Sequence, residues 1–238
     1  LSGMAALIYE ITWYQMLQLA IGAITISLAV LLASFMGGLS LGAALLARLD
    51  TGKRGIHPLM LYAAIEVGIA VCGLAVLFLL PLLDRVYFAA VAAGMPSLLM
   101  RGLLAGLCLL PPTILMGASL PAIVRFAGKG ETVWAGLYAA NTLGAMAGAL
   151  IAAFLLLRQF DVGVASMAAV AINLGVAAAS WALAKSHPMP VAMPDAVPET
   201  AAPAQTASTQ QHGRAHWPIY AVTALSGLTA LGAEVVWT

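Results

Sequence analysis

Residues 24–47 read ITISLAVLLASFMGGLSLGAALLA, a run without a single charged side chain. A helix rises 1.5 Å per residue, so a stretch of about 20 apolar residues crosses a hydrocarbon core of ~30 Å. Backbone polar groups find no water in lipid, so a run of this kind folds as a helix that satisfies them internally. The run is continuous and does not alternate, which excludes the strand of a transmembrane β-barrel. Outward from it the same pattern recurs. Seven stretches qualify as spans, roughly 1–21, 24–47, 59–83, 100–124, 132–157, 162–184 and 217–238.

Composition agrees. Of 238 residues, 63% are apolar and 8% are charged, with 10 basic and 9 acidic side chains. Mean hydropathy is +1.01. A soluble domain carries about 25% charged residues. The balance excludes a cytosolic enzyme domain, a nucleic-acid binder and a disordered chain. The fold class is all-α, a polytopic transmembrane helix bundle whose first partner is the lipid bilayer.

Charges between the spans set the orientation. Arg48, Lys53, Arg54, Arg125, Lys129, Lys185 and Arg214 fall on one side, and Arg85, Arg101 and Arg158 on the other. The positive-inside rule places the first group, the N-terminus and the segment before the last span in the cytoplasm. That segment, 186–216, holds Pro188, Pro190, Pro194, Pro198 and Pro203 and a polar tract from Gln205 to Gln211. Its composition cannot bury enough apolar area to fold. The expected organisation is a six-helix repeat over 1–185, a disordered cytoplasmic linker over 186–216, and the first helix of a second repeat over 217–238. The segment from Asp84 to Ser97 is expected as a short interfacial helix on the outer face.

An internal repeat supports that division. Residues 2–13 read SGMAALIYEITW and residues 226–237 read SGLTALGAEVVW, sharing Ser, Gly, Ala, Leu, Glu and Trp in register. A helix that opens the chain and returns after a linker is the mark of a parallel repeat, as in the two halves of major facilitator transporters. The chain stops at Thr238 inside an apolar run, so the rest of a second half is expected beyond it.

Three acidic residues lie inside expected spans: Glu10, Glu66 and Glu234. A carboxylate near the bilayer centre costs on the order of 2 to 4 kcal/mol and usually faces a cavity or a partner. Such an acid suits proton coupling or a cationic substrate. It can equally serve as a neutral hydrogen-bonding group between helices, worth about 0.6 kcal/mol. Glu10 and Glu234 occupy equivalent places in the repeat, whereas Glu66 stands alone in the third span. Trp13 follows Glu10 by three residues on the same helical face, with Tyr9, Tyr14 and Gln18 nearby. An aromatic face there can bind an organic cation or simply pack. Asn141 and Asn173 are intramembrane amides suited to interhelical hydrogen bonds, and Asn141 is the better site candidate of the two.

Small residues at intervals of four, Ser34-Gly38-Gly42 and Ala140-Gly144-Gly148-Ala152, predict close helix contacts. Pro111, Pro112 and Pro121 predict a kinked fourth span. Cys72 and Cys108 lie in apolar runs and give no disulfide framework. His57, His187, His212 and His216 fall in loops, so neither a metal site nor a cofactor is expected. No phosphate loop, dinucleotide fingerprint or catalytic triad occurs, so these residues carry no catalytic site.

The strings SGMAALIYEITW, PTILMGASLPAIVR (Pro112 to Arg125) and GLYAANTLGAMAGALIAAFLLL (Gly136 to Leu157) resemble the fused major-facilitator/spermidine-synthase membrane proteins of bacteria. Glu10, Trp13, Pro121 and Asn141 are the positions that match. Where family members place an Arg shortly after the Trp of the first helix, this chain has Tyr14 and Gln15. The resemblance implies a multi-pass protein of the bacterial inner membrane whose helices precede a soluble domain similar to spermidine synthase. That domain would bind decarboxylated S-adenosylmethionine and a polyamine. The membrane region would then handle a small cationic solute such as a polyamine, with Glu10, Trp13, Glu66, Asn141 and Glu234 as binding or proton-carrying candidates. The alternative is a non-transporting anchor for an aminopropyltransferase.

Overall fold

A computed structural model describes residues 1–22, 24–49, 55–92, 97–128 and 131–187, with 222, 225–229 and 232 towards the end. The chain divides into two units, Leu1–Pro190 and Val191–Thr238. In the second, residues 225–229 are helical, and the Thr229 hydroxyl donates to the Ser226 carbonyl at 2.9 Å. Glu234 and the linker from 188 to 216 lie outside the described residues.

The first unit is built of helices alone among its described residues: α1 Ser2–Ile21, α2 Ile24–Arg48, α3 Pro58–Ala92, α4 Ser97–Ala127, α5 Glu131–Ile151, a π-turn Ala152–Leu156, the short α6 Leu157–Gln159, and α7 Val162–Ser186. Five stretches are long and apolar enough to cross a membrane: Thr25–Arg48, Pro58–Leu79, Gly102–Ala127, Thr132–Gln159 and Val162–Ser186. The protein is therefore a multi-pass membrane protein.

Two expectations change. The first span, α1, falls short of the apolarity of the other five, because Glu10, Gln15 and Gln18 interrupt it. Its inward face explains how it is accommodated. Ala5, Ile8, Tyr9, Trp13, Leu17 and Ile21 are buried, and α1 touches α2, α3, α4, α5 and α7. The segment from Asp84 to Ala92 is no separate interfacial helix. It continues α3, which runs 35 residues, or roughly 52 Å, well beyond the hydrocarbon thickness.

Local signals account for the boundaries. Gly22 takes φ +78° at the end of α1, and its N–H bonds the Gln18 carbonyl. That left-handed cap favours glycine and turns the chain into α2. The Ser27 hydroxyl then donates to the Leu17 carbonyl at 3.2 Å, tying the two helices. Asp161 caps α7 by accepting the Val164 N–H at 2.7 Å. Helix α4 runs unbroken through Pro111, Pro112 and Pro121.

The small-residue faces meet where their spacing allowed. On α2, a Cβ at Gly38 would strike the Thr113 hydroxyl, and one at Gly42 the Ile114 carbonyl oxygen of α4; Gly117 of α4 answers against the Leu39 backbone. Thr113 donates its hydroxyl to the Ser34 carbonyl at 3.2 Å across this contact. On the other side Gly148 of α5 lies against Met4 and Gly3 of α1 against Asn141. These approaches bring backbones together and strengthen dispersion contact where lipid offers no hydrophobic drive.

One end of the bundle gathers the ends of α2, α4 and α7 and the start of α3. The Arg125 guanidinium donates to the Leu46 carbonyl. His57 accepts the Leu59 N–H on Nδ1 at 3.2 Å and reaches the His187 carbonyl with Nε2 at 3.3 Å. Phe126 packs between the two imidazoles, each ring centroid 6.1 Å away. Helices α2, α4 and α7 thus run towards this end and α3 away from it, with Arg48, Arg125 and Lys185 here.

Candidate functional site

Helix α3 turns Tyr62, Glu66, Ile69, Gly73 and Val76 inward, at intervals of four and three. This face meets α1, whose Tyr9 ring lies against Gly73, and α3 as a whole also packs on α4 and α7. Glu66 sits eight residues into the helix, about 12 Å along its axis from Pro58. It has 0% exposure, and neither carboxyl oxygen makes a hydrogen bond. The Ser2 and Tyr62 hydroxyls lie beside the carboxyl without reaching hydrogen-bond geometry. Tyr9 is the next polar neighbour along α1.

The adjoining layer is aromatic. Tyr9 stacks on Trp13 with centroids 5.0 Å apart and planes 25° apart, and Trp13 leans on Phe35 at 6.3 Å. Gly73 makes room for the phenol: a Cβ there would come within 2.6 Å of the Tyr9 ring and hydroxyl. Both rings are fully buried, and neither the Tyr9 hydroxyl nor the Trp13 Nε1 has a partner. From α7, the Ser166 hydroxyl and the Asn173 amide nitrogen are likewise buried and unpartnered. Three mutually packed helices, α1, α3 and α7, therefore carry unpartnered polar groups into the interior. Each such group costs about 1 to 3 kcal/mol when left unsatisfied, and an ionised carboxylate costs more.

The second feature is a cavity of about 150 Å³ where α1, α3, α4 and α5 meet. Ser2, Tyr62, Ser119 and Asn141 supply its polar wall, and the exposed Ala140 lies at its rim. Its volume exceeds what one water needs, on the order of 10 to 15 Å³. Two larger hollows, of about 610 Å³ between α2 and α4 and about 500 Å³ between α3 and α7, are lined almost wholly by apolar side chains.

The structure thus separates the sequence candidates. Glu66 is the acid sealed in the core. Glu10 is half-buried on another side of α1, whereas Trp13 is packed into the core with Tyr9 and Phe35. Asn141 is half-buried and lines the polar cavity. Glu234 lies outside the described residues. Tyr62, Ser119 and Ser166 were not legible as site residues. The one-turn interval from Tyr62 to Glu66 and the two-turn interval from Ser166 to Asn173 were the available signals. Among the described residues, no three His, Cys, Asp or Glu side chains converge as metal ligands. No known protein family, curated protein or solved structure matches this chain.

Proposed function

We propose that this chain is a transport-type membrane unit in which Glu66 takes up a proton or a small cation. The observation that carries the reading is the carboxyl of Glu66, fully buried in a membrane bundle and without a hydrogen-bond partner. A bundle that served only as an anchor would be at least as stable with an apolar side chain in its place. An acid kept there despite its cost suits a group that must change charge or meet a cation during function.

The helix pairing supports a transporter-like architecture. Exchanging α1 with α4, α2 with α5 and α3 with α7 converts the α2–α4 contact into α5–α1, and α3–α4 into α7–α1, while α3–α7 maps onto itself. This is the pattern of an inverted repeat of three helices nested in a six-helix half, as in major facilitators. The matching strings around Glu10 and Glu234 make a second, parallel half the natural complement. The resemblance to the fused spermidine-synthase membrane proteins points to a polyamine as the cation, and the distribution of Lys and Arg to a cytoplasmic linker.

The test is uptake of labelled polyamine by the full-length protein in proteoliposomes under a pH gradient, with Glu66→Gln and Glu66→Leu beside the wild type. The expected result is uptake that both variants lose, with Glu66→Leu folded and equally or more stable, by up to about 4 kcal/mol. Full uptake by Glu66→Leu refutes the reading. Absence of uptake together with a destabilised Glu66→Leu leaves the acid a structural group of an anchor.

A further inference from the structure

We infer that the small polar cavity walled by Ser2, Tyr62, Ser119 and Asn141 is the route by which protons reach Glu66, with the Tyr62 hydroxyl as the last relay. The inference rests on the reading of Glu66 as a proton- or cation-handling group, and it adds the side of approach and the residue that hands the proton over.

The geometry is specific. Tyr62 and Glu66 are one turn apart on the inward face of α3, so the phenol stands between the cavity and the carboxyl. Ser2 and Tyr62 each belong to both settings: they line the cavity, and their hydroxyls flank the Glu66 carboxyl. Glu66 itself does not line the cavity and has 0% exposure, so proton exchange needs an intermediary. At about 150 Å³ the cavity has room for several waters, and Ser119 and Asn141 offer them hydrogen bonds. The cavity is lined from near the starts of α1 and α3, by Ser2 and Tyr62.

The step balances without a charged tyrosine. A protonated water in the cavity gives a proton to the Tyr62 oxygen and reverts to neutral water, as the Tyr62 hydroxyl proton passes to a Glu66 carboxylate oxygen. The phenol is neutral before and after, and the net change is one proton moved from the cavity to the carboxyl. Rotation of the new O–H resets the relay. Tyr9 offers the competing path from deeper in the bundle. It lies on the far side of Glu66, stacked on Trp13 and pressed against Gly73.

Infrared spectroscopy of the full-length protein in lipid tests this directly. The carboxylic C=O band of Glu66 is assigned by its loss in Glu66→Gln, and its hydrogen–deuterium exchange is then timed. Tyr62→Phe keeps the ring and removes the hydroxyl, so the band should remain while its exchange slows roughly tenfold or more, about 1.4 kcal/mol on the barrier. Ser119→Leu fills the cavity from α4 and leaves the Tyr62 hydroxyl in the chain, and it should slow exchange as well, which keeps the test intact if one variant fails to fold. Tyr9→Phe should exchange at the wild-type rate. Wild-type exchange in either folded Tyr62→Phe or folded Ser119→Leu, or slowing confined to Tyr9→Phe, overturns the route. Loss of uptake in Glu66→Leu with unslowed exchange in Tyr62→Phe rejects the route alone. The expected exchange pattern without uptake rejects transport and leaves the route standing.

Discussion

Gly42→Ala is the sharpest test of how the bundle is held. A Cβ at this position would overlap the Ile114 carbonyl oxygen and come within 2.8 Å of the Ile114 carbonyl carbon and 3.0 Å of the Ala118 nitrogen. Comfortable carbon contacts lie at about 3.5 to 4.0 Å. The obstacle is backbone, so α2 and α4 would have to separate by roughly 1 Å. Overpacking of this kind costs about 1 to 3 kcal/mol. Separation would also stretch the bond from Thr113 to the Ser34 carbonyl, already 3.2 Å long. Against this, Ala in place of Gly inside a helix gains about 0.5 to 1 kcal/mol. Gly37 supplies the control on the same helix, because a Cβ there meets nothing within 4 Å. Gly37→Ala should stabilise the protein by that 0.5 to 1 kcal/mol, and Gly42→Ala should destabilise it. The helix gain is common to both, so the two variants should differ by the overpacking cost, about 1 to 3 kcal/mol, read from unfolding of the purified protein in mixed detergent. Equal stability of Gly37→Ala and Gly42→Ala would refute the close α2–α4 contact.

Other perturbations follow from the same packing. Trp13→Ala removes a fully buried ring stacked on Tyr9 and should cost about 3 to 5 kcal/mol in the same unfolding assay; a change below 1 kcal/mol would place Trp13 outside the core. Thr113→Val keeps the volume but loses the hydroxyl bonds to Ser34 and Leu109, a loss of about 0.5 to 1.5 kcal/mol. His57→Leu deprives the Leu59 N–H of its acceptor and should cost about 1 kcal/mol, most of it recovered in His57→Asn, with circular dichroism melting as the readout.

Much of the site was legible only as a set of candidates. Glu10, Glu66 and Glu234 look alike along the chain, each a lone acid in an apolar run. The repeat favoured Glu10 and Glu234 because register is visible in one dimension. Burial is not. Whether a helix face meets lipid, a cavity or another helix depends on how the helix is rotated among its neighbours, and α3 is apolar on nearly every side, so its sequence leaves that rotation open. Gly73 resolves it, since only the face holding Glu66 and Gly73 can admit the Tyr9 ring. The small-residue intervals on α2 and α5 were more informative, because a close backbone approach requires glycine wherever the helices cross.

The sequence by itself determined that the chain is helical and membrane-embedded, where the apolar runs lie, and which faces can pack tightly. These follow from transfer free energy and backbone hydrogen bonding, which act locally and can be summed along the chain. Tertiary structure alone decided that α3 continues to Ala92, that the comparatively polar α1 is taken into the bundle, and that Glu66 rather than Glu10 is the sealed acid. It also brought Ser2, Tyr62, Ser119 and Asn141, from four different helices, around one cavity. Contacts of that kind join residues far apart in the chain, and their geometry is fixed by how side chains interlock across helices, which no local pattern encodes.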